Sequence, residues 1–215
     1  MIVDEIMKKD VTVLFPEDSI AKAIKVMADK KIRHIPIIDQ DHAVIGLVSD
    51  RDIKDAAPSI FHWDEHKESL ERPIESIMTT KVITGHPLDF VEEISAIFYE
   101  HNISCLPIIK DKKLVGIVTE TDLLHTLVEL TGAHQPGSQI EVRVPNKAGI
   151  LCEIATVISM RKANILSVLV YPDKKDDRYK ILVVRLQTMN PIAVIEDLKK
   201  AGHQVLWPNL PGVSS

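Results

Sequence analysis

Arg33-His34-Ile35-Pro36-Ile37-Ile38-Asp39, followed by Gly46-Leu47-Val48-Ser49-Asp50-Arg51-Asp52, returns later in the chain as Ser104-Cys105-Leu106-Pro107-Ile108-Ile109 and Gly116-Ile117-Val118-Thr119-Glu120-Thr121-Asp122. Ile6-Met7 and Pro16 return likewise as Ile77-Met78 and Pro87. The offset is 71 residues up to the second proline and 70 after it, a slip that a turn between two strands absorbs. An internal duplication predicts two half-units that pack as a pair. Packed halves create a cleft between equivalent surfaces, so the repeat points to binding before it points to one catalytic centre.

Each half opens on a short helical turn, Val3 to Met7 or Ile74 to Met78, and an extended piece that ends at Pro16 or Pro87. A helix is expected next. In the first half Asp18 or Ser19 caps it, and Ile20, Ala23, Ile24 and Met27 share a face; in the second, Asp89 precedes Val91, Ile94 and Phe98. Ile35 to Ile38 and Leu106 to Ile109 are short, β-branched and followed by charged turns, which predicts strand, turn, strand with Ala43 to Val48 and Leu114 to Val118. Asp50 to Ala56 and Glu120 to Leu130 then read as helices. The expected half-unit is strand, helix, strand, strand, helix.

The halves cover residues 1–72 and 73–132, the first including an insertion, Ala57 to Arg72, that contains His62-Trp63-Asp64-Glu65-His66. Gly132 to Gly137 breaks the chain, and a further domain is expected over 138–208. There Gln139 to Val144 alternates as a strand, Gly149 to Arg161 reads as a helix, and Ile165 to Tyr171 and Tyr179 to Gln187 flank a polar hairpin. Pro191 to Lys200 is a helix with proline at its start, and His203 to Trp207 a last strand. This βαββαβ order predicts helices on one side of an antiparallel sheet, so the fold class is α/β in the α+β sense. Pro208 to Ser215 reads as a frayed tail.

The 215 residues carry a net charge of −5, with basic residues dispersed and not interleaved with aromatics. Such a chain lacks the steady positive field that nucleic acid or an anionic bilayer needs, so neither is an expected partner. No segment approaches eighteen uncharged apolar residues, and the amino terminus carries Asp4 and Glu5 at once and lacks a long apolar stretch, which predicts a soluble protein. Cys105 lies in an apolar run and Cys152 in a helix-like one, and both read as buried thiols, in keeping with a reducing cytoplasm.

The repeated chemistry gathers at Ser49-Asp50-Arg51-Asp52 and Thr119-Glu120-Thr121-Asp122, where a strand becomes a helix. One reading is local: a hydroxyl at the cap and a carboxylate three residues on satisfy the helix start. The other is that the hydroxyl and free amides meet a phosphate while the carboxylate accepts hydrogen bonds from a ribose diol. Duplication copies caps as faithfully as sites, so the repetition leaves both open.

These two blocks, from Arg33 to Asp52 and from Ser104 to Asp122, resemble a pair of cystathionine-beta-synthase-type (CBS) motifs over about residues 1–130. The resemblance implies a regulatory module that binds adenosine-containing ligands in its clefts and often dimerises. It places adenine between apolar residues near the first strand and the proline-containing strand, and phosphate and ribose at the helix start. Carried onto this chain, one cleft is expected to use Val11, Thr12, Val13, His34, Ile35, Pro36, Ser49, Arg51 and Asp52. The other is expected to use Val82, Ile83, Thr84, Cys105, Leu106, Pro107, Thr119 and Asp122. Arg33, His34 and Arg51 face Ser104, Cys105 and Thr121 in the second copy, so a charged nucleotide is expected in the first cleft.

Ile140 to Leu151, Ile154-Ala155 and Ala163-Asn164-Ile165 resemble an ACT domain, a ferredoxin-like regulatory fold associated with amino-acid binding and pairing of subunits. The resemblance implies a small-ligand site of Asn146, Gly149, Ile150, Leu151, Asn164 and Ile165. Asn146 and Ala148 stand where that family carries aspartate and proline, which favours a dimerising role over amino-group binding. A CBS pair followed by one ACT domain is similar to the acetoin utilisation protein B family, linked to growth on acetoin or butanediol and to sporulation. That likeness implies a cytoplasmic, non-catalytic regulator, homodimeric, with AMP, ADP or ATP as regulatory ligand, no catalytic cofactor, and a further protein partner as its readout.

The rivals are a scaffold without nucleotide sensing and a metal-dependent hydrolase. His62, Glu65 and His66 fit the H-x-x-E-H spacing that offers two imidazoles to zinc and a carboxylate as base. They sit in a charged insertion without a third ligand, so no metal site is expected. No glycine-rich phosphate loop exists, and bound ATP would act as a regulator.

Overall fold

A computed structural model describes residues 1–56 and 70–208. Residues 57–69, with His62, Glu65 and His66, and the tail beyond Pro208 lie outside the described residues. Two compact units divide the chain, the first Met1–Leu124 and the second from His125 onward.

In the first unit each repeat builds one helix, one β-hairpin and a closing helix. The elements are α1 (Val3–Ile6), α2 (Ile20–Lys30), β1 (His34–Ile38), β2 (Val44–Ser49) and α3 (Asp50–Ala56), then a 3-10 turn at Ile74–Ser76, α4 (Val91–His101), β3 (Cys105–Lys110), β4 (Lys113–Thr119) and α5 (Glu120–Thr131). Helix α2 starts where Ser19 accepts the Lys22 amide. Asp18 and Asp89 instead close the preceding turns on the Phe15 and His86 amides, so Asp89 is not the cap of α4; the Phe90 amide there meets Glu93. Both helices end on a left-handed residue, Lys31 and Asn102, which returns its amide to the last turn.

The expected first strand of each half is reduced to a single parallel bridge, Leu14 to Ile37 and Gly85 to Ile108. A proline strand can take it because Pro36 and Pro107 lack an N–H but offer their carbonyls to the Leu14 and Gly85 amides. Hairpins β1–β2 and β3–β4 share a one-residue irregularity, after Ile37 and after Ile108.

The leading segments cross over. Lys8 bridges Ile117 of β4, and Thr79 bridges Leu47 of β2, each through two backbone hydrogen bonds of 2.9–3.0 Å. Val3 and Met7 therefore complete the core of Ile94, Phe98, Leu106, Ile108 and Val118, while Ile74 completes that of Leu14, Ile20, Ile35, Ile37 and Val48. Gly46 and Gly116 make room for this exchange, since a Cβ there would collide with the thioethers of Met78 and Met7.

The second unit contains β5 (Ser138–Pro145), α6 (Ile150–Met160), β6 (Ile165–Pro172), β7 (Tyr179–Leu186), α7 (Ile192–Lys200) and β8 (Gln204–Trp207). Its antiparallel sheet runs β6-β7-β5-β8, the arrangement that βαββαβ order predicts. Ile140, Val142 and Val144 meet Ile154 and Ile158 of α6 and Val194, Ile195 and Leu198 of α7 in one core. The unit begins inside α5, ahead of the expected break at Gly132. There the Ser167 hydroxyl donates to the Thr131 carbonyl at 2.8 Å and Arg185 to that of Gln135 at 2.6 Å.

Gly137 lies so close to Leu186 that an added Cβ would stand 2.5 Å from its carbonyl oxygen. Because backbone cannot yield as a flexible side chain does, Gly137→Ala is expected to cost about 1 to 3 kcal/mol. A chemical denaturation curve checks this.

Only one of the two cysteines fits the expectation of burial. Cys105 is buried, and burial, with a smaller contribution from Asp122, pushes its thiol up to about 12. Cys152 is exposed, because α6 turns Ile150, Ile154 and Ile158 inward at four-residue spacing and leaves Cys152 on the outer side. Titration of the native protein with a disulfide reagent near pH 8 is expected to show Cys152 reacting at once and Cys105 only after unfolding.

Candidate functional site

Ser49 ends β2 and Asp52 lies in the first turn of α3. The Asp52 Oδ2 accepts the Ser49 amide at 2.7 Å and its hydroxyl at 2.6 Å, and the Ser49 Oγ accepts the Asp52 amide at 3.3 Å. Thr119 and Asp122 repeat the first two bonds at 2.9 and 2.5 Å. Both helix starts are thus capped locally, and each also stands beside a cavity.

The first cavity measures about 400 Å³ and brings Ser49, Arg51 and Asp52 to Val82, Ile83 and Cys105, with Arg33 and His34 in its wall. The second, about 270 Å³, brings Thr119 and Thr121 to Val11, Thr12, Arg33 and His34. The grouping expected from the sequence is therefore crossed: each helix start faces the apolar run of the other repeat. The cause is the exchanged leading segment, which hydrogen-bonds the opposite hairpin and carries the following residues, Val11 or Val82, to that hairpin's helix.

Ile35, Pro36, Leu106 and Pro107 do not line these cavities; they are buried in the two hairpins. Val13 and Thr84 line neither. Asp122 reaches the second cavity through its bonds to Thr119 and Lys8. Residues that the sequence did not single out are Lys8 and Lys31 in the second cavity and Lys81 in the first. They carry no periodic signal, and only the crossing brings Lys8 and Lys81 into place.

The cations are also distributed differently from expectation. In the first cavity Arg33, Arg51 and Lys81 are balanced by Asp50, Asp52 and Glu120. Lys8, Lys31 and Arg33 line the second, with Asp10 as the acid in its wall. Between the two, His34 Nε2 meets the Ser104 hydroxyl at 2.9 Å. Burial, then the Arg33 guanidinium, lowers the imidazole below its ordinary value against the pull of Asp50, Asp52 and Glu120, so His34 is neutral near pH 7. For Asp122, burial alone would raise the carboxyl; hydrogen bonds from Lys8 and Thr119 outweigh it and hold the group below the usual carboxylate range.

In the second unit the six expected small-ligand residues do not converge. Asn146 precedes α6 and donates its amide to the Arg178 carbonyl; Asn164 follows α6 and donates its side-chain amide to Gln187. The whole helix separates them. Gly149 caps α6 with φ +83°, Ile150 is in the core, Leu151 is exposed and Ile165 packs beside the core. A cavity of this unit lies elsewhere, beside Ser138, Asn190, Ile192 and Trp207. Among the described residues no group of three or more His, Cys, Asp or Glu side chains is placed to hold a metal. Nor, among them, is any helix long and apolar enough to cross a membrane.

Duplicated halves, crossed so that each helix start faces the other's apolar run across a cavity, define a tandem-repeat module with two candidate ligand sites. The chain belongs to the CBS domain family, whose profile matches residues 3–59 and 74–129, more than half of its length. The ACT domain profile matches residues 138–203. CBS and ACT domains are typically regulatory.

Among curated proteins the chain is 30% identical over 128 residues to a homoserine O-acetyltransferase of Methanococcus vannielii, covering 59% of this chain and 25% of that enzyme. It is 29% identical over 122 residues to an inosine-5'-monophosphate dehydrogenase of Methanocaldococcus jannaschii, covering 56% and 22%. The chain thus spans about a quarter of the length of these relatives. Among solved structures, a Vibrio cholerae protein provisionally named for acetoin utilisation matches 63% of this chain and 98% of its own, at 28% identity and TM-score 0.54. A CBS domain pair crystallised with 5'-methylthioadenosine and S-adenosyl-L-methionine matches 59% of this chain and 99% of its own, at 30% identity and TM-score 0.51.

Proposed function

We propose that this chain is a non-catalytic regulatory sensor of an adenosine-containing ligand, held in the cavities between its repeats. The observation that carries the reading is the first cavity. It faces apolar Val82 and Ile83 with a helix start that presents the Ser49 hydroxyl and the Asp52 carboxylate, in a volume suited to a nucleoside. In this reading Val82 and Ile83 flank adenine, Asp52 accepts from the ribose, and Arg51, Lys81 and Arg33 meet phosphate. Val11, Thr12, Thr119 and Asp122 have the matching roles in the second cavity. The methylthioadenosine and S-adenosylmethionine complex of the similar CBS pair supports an adenosine ligand, with AMP, ADP and ATP as the phosphorylated candidates.

Ligand in the cleft bears on both repeats at once, because each cavity takes its walls from both. Signalling then requires that the ligand prefer one arrangement of the repeats, of a homodimer, or of a partner surface; equal affinity for two states shifts nothing. The likeness to the Vibrio cholerae protein supports acetoin utilisation as the setting.

A scaffold without nucleotide sensing is the second reading, favoured by the local satisfaction of both caps. Isothermal titration of metal-free protein with AMP, ADP, ATP and S-adenosylmethionine decides between them. Saturable micromolar binding at one or two per chain is expected, and no binding by any of the four makes the pair a scaffold.

A further inference from the structure

The two cavities differ at the carboxylate that each helix start presents. Lys8 Nζ lies 2.8 Å from Asp122 Oδ1, with the lysine side chain 60% exposed and the aspartate 13%. Thr119 holds the other oxygen, Oδ2. Both carboxylate oxygens of Asp122 are therefore engaged. In the other repeat the matching position to Lys8 is Thr79, which makes the same backbone bridge but brings no cation. Among the described residues Asp52 has no ion pair, and its side-chain bonds, all to Ser49, use Oδ2. Among the described residues its Oδ1 meets no donor and is open to a ligand. The asymmetry thus comes from one side chain on an otherwise repeated backbone.

We propose that Lys8 is a latch on the second cavity: it occupies the Asp122 carboxylate that a ribose diol would take, so adenosine-containing ligands fill the Asp52 cavity first. The inference rests on the adenosine reading above. Entry into the second cavity requires the ammonium to swing away, which its exposed four-carbon stem permits while the backbone bridge to Ile117 and the Met7 side chain stay in place.

Calorimetric titration of the full chain with adenosine and with AMP tests this. The wild-type protein is expected to show two classes of site, and Asp52→Ala to weaken the tighter one. Lys8→Ala is expected to tighten the weaker class about two- to five-fold, the scale of a partly exposed ion pair. Lys8→Arg keeps the cation and the wild-type gap. Two equal sites in the wild type, unchanged in Lys8→Ala, overturn the latch while leaving the adenosine reading intact. A weaker second site in Lys8→Ala also overturns it and makes Lys8 a ligand contact. No binding by wild type or Lys8→Ala overturns the adenosine reading and the latch together.

Discussion

Asp52→Ala is expected to weaken an adenosine ligand in the larger cavity by about 1 to 3 kcal/mol, roughly 5- to 150-fold. The carboxylate has two tasks that use different oxygens. Its Oδ2 holds the Ser49 amide and hydroxyl, while Oδ1 faces no protein donor among the described residues. Alanine removes both tasks, so the melting temperature should fall as well, by the equivalent of a lost helix cap at about 0.5 to 2 kcal/mol. An Asp52→Asn variant retains a cap acceptor and loses the charge, which separates the two effects. A lowered melting temperature with unchanged affinity, measured by calorimetry on both variants, would return Asp52 to a capping role alone. Asp122→Ala is the matched control.

Ile74→Ala is expected to lower stability by about 2 to 5 kcal/mol, the range for emptying a buried aliphatic site. Ile74 has no solvent exposure and packs with Leu14, Ile20, Ile35 and Ile37. By sequence it opens the second repeat, yet the hole appears in the core of the first. Hydrogen exchange should therefore show lost protection in β1 and β2 rather than in β3 and β4. Exchange that rises first in β3 and β4 would mean that the crossing does not hold in solution.

The repeat itself was legible because proline, glycine and the hydroxyl-carboxylate pair recur at a nearly constant offset. The hairpins were legible because β-branched runs are bounded by charged turns, and the second unit because its apolar periods switch between two and four. The crossing was not legible. Ile6-Met7 and Ile77-Met78 are near copies, so either copy can fill either core, and local sequence contains no term that selects the partner. This one ambiguity also reassigned the cavities, since Val11 and Val82 follow the crossed segments. Cys152 was misplaced for a smaller reason: an apolar neighbourhood says little about which side of a helix one residue occupies. The separation of Asn146 from Asn164 follows from the length of α6 between them, which a match of short motifs does not weigh.

The bridge between Lys8 and Ile117 joins positions 109 residues apart. During synthesis at about 5 to 20 residues per second, the segment carrying Val3 and Met7 leaves the ribosome many seconds before the strand that will cover it. The first repeat meets a shorter delay, since its missing piece at Ile74 follows soon after β2. Its core can close while the second is still being made, and the apolar residues near position 3 stay uncovered until β4 emerges. The stretch around Val3 and Met7 is therefore exposed to chaperones and proteases until then, and its closure marks completion of the pair.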